Sequence, residues 1–325
     1  MLLVSHLYSH TLFKLHLLLF SSLNLNLAIT CVDGNTTVDN VVKNVAILTG
    51  AAKKDIPIYE GVNGPIVKAK KDASAYHGTD GFGGKQEQWM HIAAMQNVKK
   101  EHAVNAIIKH VNEEHEKGNE VGVFTVGPMT NLAMAVRMDP SIITKIKHVY
   151  VMGGTVNGWG NMTLTGEFNF WVIQKQQRFV LLALRWPISF LGKLHSTSKS
   201  LMMVRLFTNT ELIHLDKKRL LRRDNDAAKV FWDINQFNET TVDAKIYCCD
   251  GLCIAAAIDP SVVTKSHTAY GEVMTEGEKT AGGIFYNMYT DFVEDNSVPN
   301  VYQMNEIDHD IYIDMLEASL GLEKL

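Results

Sequence analysis

Cysteine, proline and charge of a single sign are all scarce in this chain. Four cysteines among 325 residues are too few to staple a protein of this size, and Cys248 and Cys249, being adjacent, are poorly placed to bridge each other. Reduced thiols and a cytoplasmic setting are therefore expected. Seven prolines exclude a collagen-like or proline-rich chain. Basic side chains number 31 and acidic ones 35, a net charge of −4, which offers no electrostatic footprint for nucleic acid or an anionic membrane face. With 46% hydrophobic and 20% charged residues, disorder and coiled coil are excluded for the whole. The length suits one large α/β domain or two ordinary ones.

One scarcity is local. Residues 1–24 contain no Asp or Glu, and their composition differs from that of the remaining chain. The apolar run Leu15 to Phe20 is interrupted by His16 and falls far short of the roughly 20 residues needed to span a bilayer. Lys14 ahead of a short leucine stretch admits a secretory signal peptide over residues 1–28, which makes secretion the alternative to the cytoplasm.

From about Leu25 the pattern is regular. LNLAITCV reads as a strand, GNTT as a turn and VDNVVKNVAILTGA as a helix. Thr36 and Asp39 resemble a capping box, and Val38, Val41, Val42, Val45 and Leu48 make one apolar face. IPIYEG is a second strand, HGTDGFGG a glycine-rich loop, and Gln88 to Glu116 a long helix. VGVFTV and HVYVMGG are buried strands separated by the turn GPMTN and the helix LAMAVRM. Asn225 to Asp243 reads as a polar loop, and YCCDGLCIAAAIDPSVV as a loop entering a helix. Continuous apolar strands alternating with helices predict a single α/β domain with a mostly parallel sheet flanked by helices.

In such sheets ligands bind beyond the carboxyl ends of the strands. The turns there, GNTT (34–37), GPMTN (127–131), MGGTVNGWGN (152–161) and the approach to Asp250, are rich in Asn, Thr and Gly with few Lys or Arg. That chemistry suits a neutral polyhydroxyl ligand better than a phosphate.

Taken in order, ITCVDGNTTVDNVVKN, DIPIYEGVNGPIV, HGTDGFGG, FTVGPMTNLAMAVRMDP, HVYVMGGT, GNMTLTGEFNFWV and CDGLCIAAAIDPSVV together resemble the inosine/uridine-preferring nucleoside hydrolases. The resemblance implies one α/β domain, bound calcium, hydrolysis of nucleosides to base and ribose in nucleoside salvage, and a homodimer or homotetramer. It places Asn35, Asn161, Glu167 and Asn169 on the ribose hydroxyls, with His77 also on the substrate side. Asp250 and the backbone carbonyl of Thr130 are placed on the calcium. Amides and a carboxylate fit ribose because each hydroxyl both donates and accepts. Glu167 would also set negative charge beside a sugar that becomes oxocarbenium-like as the bond breaks.

Each residue also has a plainer reading. Asn35 suits a turn, Thr130 and Asn131 a helix cap, Glu167 and Asn169 an exposed strand edge, and Asp250 a helix cap. His77 suits a loop, and His91, His102, His110 and His115 a solvated helix face. Cys248, Cys249 and Cys253 match no zinc spacing and read as buried thiols.

The chain departs from the family pattern in three places. Members open with a strand ending in a D-x-D-x-x-x-D-D cluster that supplies most calcium carboxylates and the general base. Nothing like it occurs here, so the first strand is expected to be missing, the sheet to be left open, and the general base to be absent. A histidine that normally precedes the calcium aspartate is Cys249. After Val172 the family continues close to V-D-P-E-A-A-K, whereas this chain reads VIQKQQR. One back-translation of VIQKQQR gives D-P-E-A-A-K in the next frame, and LGKLH (191–195) gives W-E-T in the same frame. Ile173 to about Ser200 is thus expected to be an out-of-frame reading. The resulting layout is an atypical segment 1–24 and a domain over 25–325 that is off-pattern at about 173–200. An impaired hydrolase then has two alternatives: an inactive ribose- or nucleoside-binding protein, and a defective gene product without a folded state.

Overall fold

The computed structural model describes residues 2–7, 27–64, 74–155, 158–172, 200–204, 212–214, 226–236, 245–247, 249–287 and 301–320. The expected off-pattern stretch Ile173 to about Ser200 lies outside them except for its last residue. The parallel strands are β1 (Leu2–Leu7), β2 (Leu27–Cys31), β3 (Ile58–Tyr59), β4 (Val98–Lys99), β5 (Val121–Thr125), β6 (Ile146–Met152) and β7 (Ser200–Val204), most of them short apolar runs. β8 (Leu212–His214) and β9 (Lys245–Tyr247) pair antiparallel on their own. β10 (Val263–Val273), β11 (Ile284–Asn287) and β12 (Val301–Ile307) complete the main sheet, whose order is β11-β10-β12-β7-β6-β5-β1-β2-β3-β4. β12 runs parallel to β7, while β10 is antiparallel to both β12 and β11.

The missing first strand is a correction. Leu2–Leu7 lies between β2 and β5, with Ser5 opposite Thr30 on one side and Thr125 on the other. A parallel ladder is made by backbone N–H and C=O groups, so LLVSHL can fill the slot although it carries no carboxylate. The sheet has no gap there, and the expected open ladder does not arise.

Six helices of nine or more residues cover the described sheet: α1 (Val38–Ala51), α2 (Ala103–Glu116), α3 (Thr130–Met138), α4 (Asp226–Gln236), α5 (Cys249–Ile258) and α6 (His309–Ser319). The apolar face read for α1 is buried as expected. Its cap lies one residue later than the expected Thr36–Asp39 box. Thr37 accepts from the Asn40 N–H at 3.4 Å, while the Thr36 hydroxyl donates to the Thr79 carbonyl at 3.1 Å.

The long helix expected over Gln88 to Glu116 is broken into a turn at Gln86–Trp89, 3-10 turns at Met90–Ile92 and Met95–Asn97, β4, and then α2. Pairing of β4 with β3 and a bond from the Ala94 N–H to the Ala46 carbonyl at 2.8 Å override local helix preference. Gly50 makes the approach possible, since a Cβ there would lie 1.8 Å from the Ile92 carbonyl oxygen. The polar loop expected from Asn225 is also corrected: α4 occupies most of it and buries Ala227, Val230, Phe231 and Ile234, which share one helical face. Asp233 on α4 accepts from Gln88 Nε2 at 2.9 Å and Trp89 Nε1 at 3.0 Å. Among the described residues no helix is long and apolar enough to cross a membrane.

Candidate active site

The turns rich in Asn and Gly lie after β2, β5 and β6, at the carboxyl edge of the parallel strands, and α5 carries Asp250 in its first turn. α5 packs against β6 and β7, which brings that turn toward the loop after β6.

The loop after β6 is built around one carboxylate. Glu167 is 2% exposed. Its Oε1 accepts from the Asn169 N–H at 2.9 Å, and its Oε2 accepts from the N–H groups of Gly154 at 3.2 Å and Phe170 at 3.4 Å. Gly153, at φ 147°, makes the cup possible. A Cβ there would lie 2.8 Å from Glu167 Oε2 and from the Phe170 ring. Asn169 is fully buried and donates from Nδ2 to the Met152 carbonyl at 3.1 Å, tying the cup to the end of β6. The exposed strand edge read for this pair is thus excluded: Phe168–Val172 is a buried helical turn.

Burial pushes the Glu167 carboxyl up to about 7. The N–H groups of Asn169, Gly154 and Phe170 pull it back, and the charge of Asp250 adds to the rise. Glu167 and Asp250 are therefore within electrostatic reach of each other. Asp250 is itself 4% exposed. Burial also drives the Cys253 thiol well above its ordinary value, with Asp250 adding to the shift, and no disulfide involves Cys31, Cys249 or Cys253.

The remaining expected residues divide. Asn35 is buried in the turn between β2 and α1, and Thr130 is buried as the first residue of α3. Asn161 is exposed, on the rim of a tight loop in which its N–H and that of Met162 both donate to the Gly166 carbonyl. That loop is fastened by the Thr163 hydroxyl, which donates to the Ala281 carbonyl at 3.1 Å. His77 is half-buried at the end of the turn Ser74–His77. Of the surface histidines, His102 caps α2 by accepting from the Val104 N–H at 3.3 Å, and His110 is half-buried against the Tyr59 hydroxyl at 3.0 Å. His110 is a correction to a purely solvated face, while His102 is exposed as expected.

Two bracing residues escaped the sequence reading. Asn131 does not cap α3. It donates from Nδ2 to the Cys31 carbonyl at 2.8 Å and accepts the Val62 N–H at 3.0 Å, stapling the end of β2 to the loop after β3. Its partners are distant in sequence, so no local signal reveals it. Asp80 organises the glycine-rich loop, its carboxylate accepting from the N–H groups of Phe82 at 2.7 Å, Gly84 at 2.9 Å and Gln86 at 3.0 Å. With those amides engaged, the loop is a brace and no phosphate cradle.

A family model described as inosine-uridine preferring nucleoside hydrolase matches residues 12–314. The chain belongs to that family. The inosine-uridine preferring nucleoside hydrolase of Crithidia fasciculata is 30% identical over 258 residues, covering 79% of this chain and 77% of the relative. The pyrimidine-specific ribonucleoside hydrolase RihB of Escherichia coli is 28% identical over 254 residues, covering 76% and 74%. Among solved structures, an inosine-guanosine nucleoside hydrolase superposes with a TM-score of 0.82 at 22% identity, and a plant nucleoside hydrolase with 0.82 at 21%, each over 99% of both chains. This likeness establishes that the chain has the nucleoside hydrolase fold.

The calcium implied by the family resemblance finds a poor fit. A calcium ion takes about six to eight oxygens, several of them carboxylate. Among the described residues no group of three or more His, Cys, Asp or Glu side chains gathers closely enough to hold an ion.

Proposed function

We propose that this nucleoside hydrolase family member hydrolyses the N-glycosidic bond of ribonucleosides, releasing a purine or pyrimidine base and ribose. One observation carries the reading: Glu167, held by three backbone N–H groups, is buried within electrostatic reach of Asp250 at the mouth of β6. In its ionised form Glu167 accepts hydrogen bonds from the ribose hydroxyls and faces the positive charge that grows on the sugar. Asn35 and Asn169 offer amides at the same edge, Asn161 and His77 reach the substrate from the rim, and Asp250 adds a second carboxylate. Holding the sugar by several hydroxyls lets binding energy enforce the geometry that cleavage needs.

No Asp or Glu precedes Asp33, so the strand that carries the D-x-D-x-x-x-D-D cluster in the family brings no general base here, and turnover without a positioned base is slower by about 10²–10⁴. Thr130 and Asp250 alone are too few donors for calcium, and no step is assigned to the ion. A cytoplasmic site of action fits the free thiols, and a role in nucleoside salvage as a homodimer or homotetramer fits the family.

The test is release of hypoxanthine from inosine and uracil from uridine by the purified full chain, monitored by chromatography together with a reducing-sugar assay for ribose. Equal release of base and ribose, lost in Glu167→Gln, is expected. Absence of base release from every common ribonucleoside overturns the reading.

A further inference from the structure

We infer that this chain grips its ligand without calcium, because among the described residues the oxygen donors at the mouth of the sheet are too few or already bonded in part within the protein. The inference rests on the nucleoside reading only for the identity of the ligand.

The amino side of the mouth is formed by β1 and its two neighbours. Ser5 stands opposite Thr30 and Thr125, and Leu7 opposite Cys31. No Asp or Glu precedes Asp33 anywhere in the chain. No residue of the central strand Leu2–Leu7 is acidic, and neither are the residues it pairs with on β2 and β5. Asp33, Glu167 and Asp250 are buried near the ends of three different elements, yet no three acidic, histidine or cysteine side chains converge among the described residues.

Other oxygens near the mouth already accept hydrogen bonds from the protein, with a lone pair of Glu167 Oε1 left for a ribose hydroxyl. Asn131 Oδ1 accepts the Val62 N–H. Both Glu167 oxygens accept backbone N–H groups. The donors expected for calcium are then the Asp250 carboxylate and the Thr130 carbonyl, far below the roughly six to eight oxygens that a hard divalent ion needs to shed its water. A single carboxylate also leaves most of the ion's double charge uncompensated in a buried place. The central strand has kept its place in the sheet, while its sequence carries no carboxylate.

The experiment uses the full chain, stripped with a chelator and dialysed, in two calorimetric titrations. In the first, calcium chloride alone is added. No saturable heat below about 1 mM is expected, and Asp250→Asn is expected to give the same blank trace. A stoichiometric calcium site of micromolar affinity that Asp250→Asn abolishes overturns the inference. In the second, inosine is added with calcium or with excess chelator. The affinities are expected to agree within about twofold, and a loss of about tenfold or more in chelator overturns the inference. If inosine gives no heat in either buffer, the nucleoside reading fails, while the calcium titration still decides this one.

Discussion

The two sides of one sheet edge differ sharply. On the side of β6 and α5, a carboxylate is cupped by three N–H groups, an amide is locked to the strand end, and a second carboxylate lies within electrostatic reach. On the side of β1 and β2, the strands have the same parallel pairing and stand in the middle of the sheet, but β1 brings no acidic group. Backbone bonding maintains a scaffold without reference to side-chain chemistry, so fold and site can part company within a few ångströms. The chain illustrates this: its described residues have the nucleoside hydrolase fold, and the buried carboxylates Glu167 and Asp250 lie within electrostatic reach on one side of the edge.

The largest expected effect attacks the equipped side. Glu167→Gln keeps the size and removes the charge, so nucleoside turnover should fall by about 10²–10³ with the circular dichroism spectrum unchanged. An unaltered rate would mean that the two sides are equally irrelevant to chemistry.

Next comes the staple between the sides. Asn131→Ala strands the buried Cys31 carbonyl and Val62 N–H, and denaturant unfolding should show a loss of about 2–4 kcal/mol. A loss under about 0.5 kcal/mol would show that the β2 end needs no brace. Gly153→Ala forces a Cβ against Glu167 Oε2 and Phe170 at φ 147°. A stability cost of about 1–3 kcal/mol is expected, together with weaker inosine binding. A change in stability alone would place Glu167 outside the ligand contact.

The subtlest effect is on pH. Glu167 in the native chain holds its proton up to about 7, whereas the unfolded chain releases it near the ordinary carboxylate value of about 4.3. The native state thus binds more protons between these values, and its stability should decline as pH rises from about 4.3 toward 7, by roughly 4 kcal/mol at most. Glu167→Gln should lack that component of the pH-dependent unfolding profile. Ligand binding should move the opposite way, strengthening as pH rises through about 7, because the ionised group is the acceptor.

Much of the scaffold was legible because periodicity is a local signal: the apolar face of α1 and the continuous runs of β5 and β6 sit where their patterns place them. β1 was not, because it lacks the family's aspartate motif, while the ladder asks only for an extended apolar run. The break in the helix expected from Gln88 depends on the bond from Ala94 to Ala46, which no window of sequence contains. In the site, Glu167 and Asn169 of GNMTLTGEFNF and the aspartate after IYCC, Asp250, are buried. Asn161, from the same string, lies on the exposed rim. The bracing by Asn131 and Asp80 was illegible, because both act through partners that only the folded chain supplies.

Whether Glu167 holds the nucleoside is decided by calorimetric titration of inosine into the chelator-treated full chain and its Glu167→Gln variant at pH 8. Saturable binding to the native chain is expected, with an affinity about tenfold or more lower in the variant. Equal affinities, or no binding to the native chain, would contradict the role given to this carboxylate.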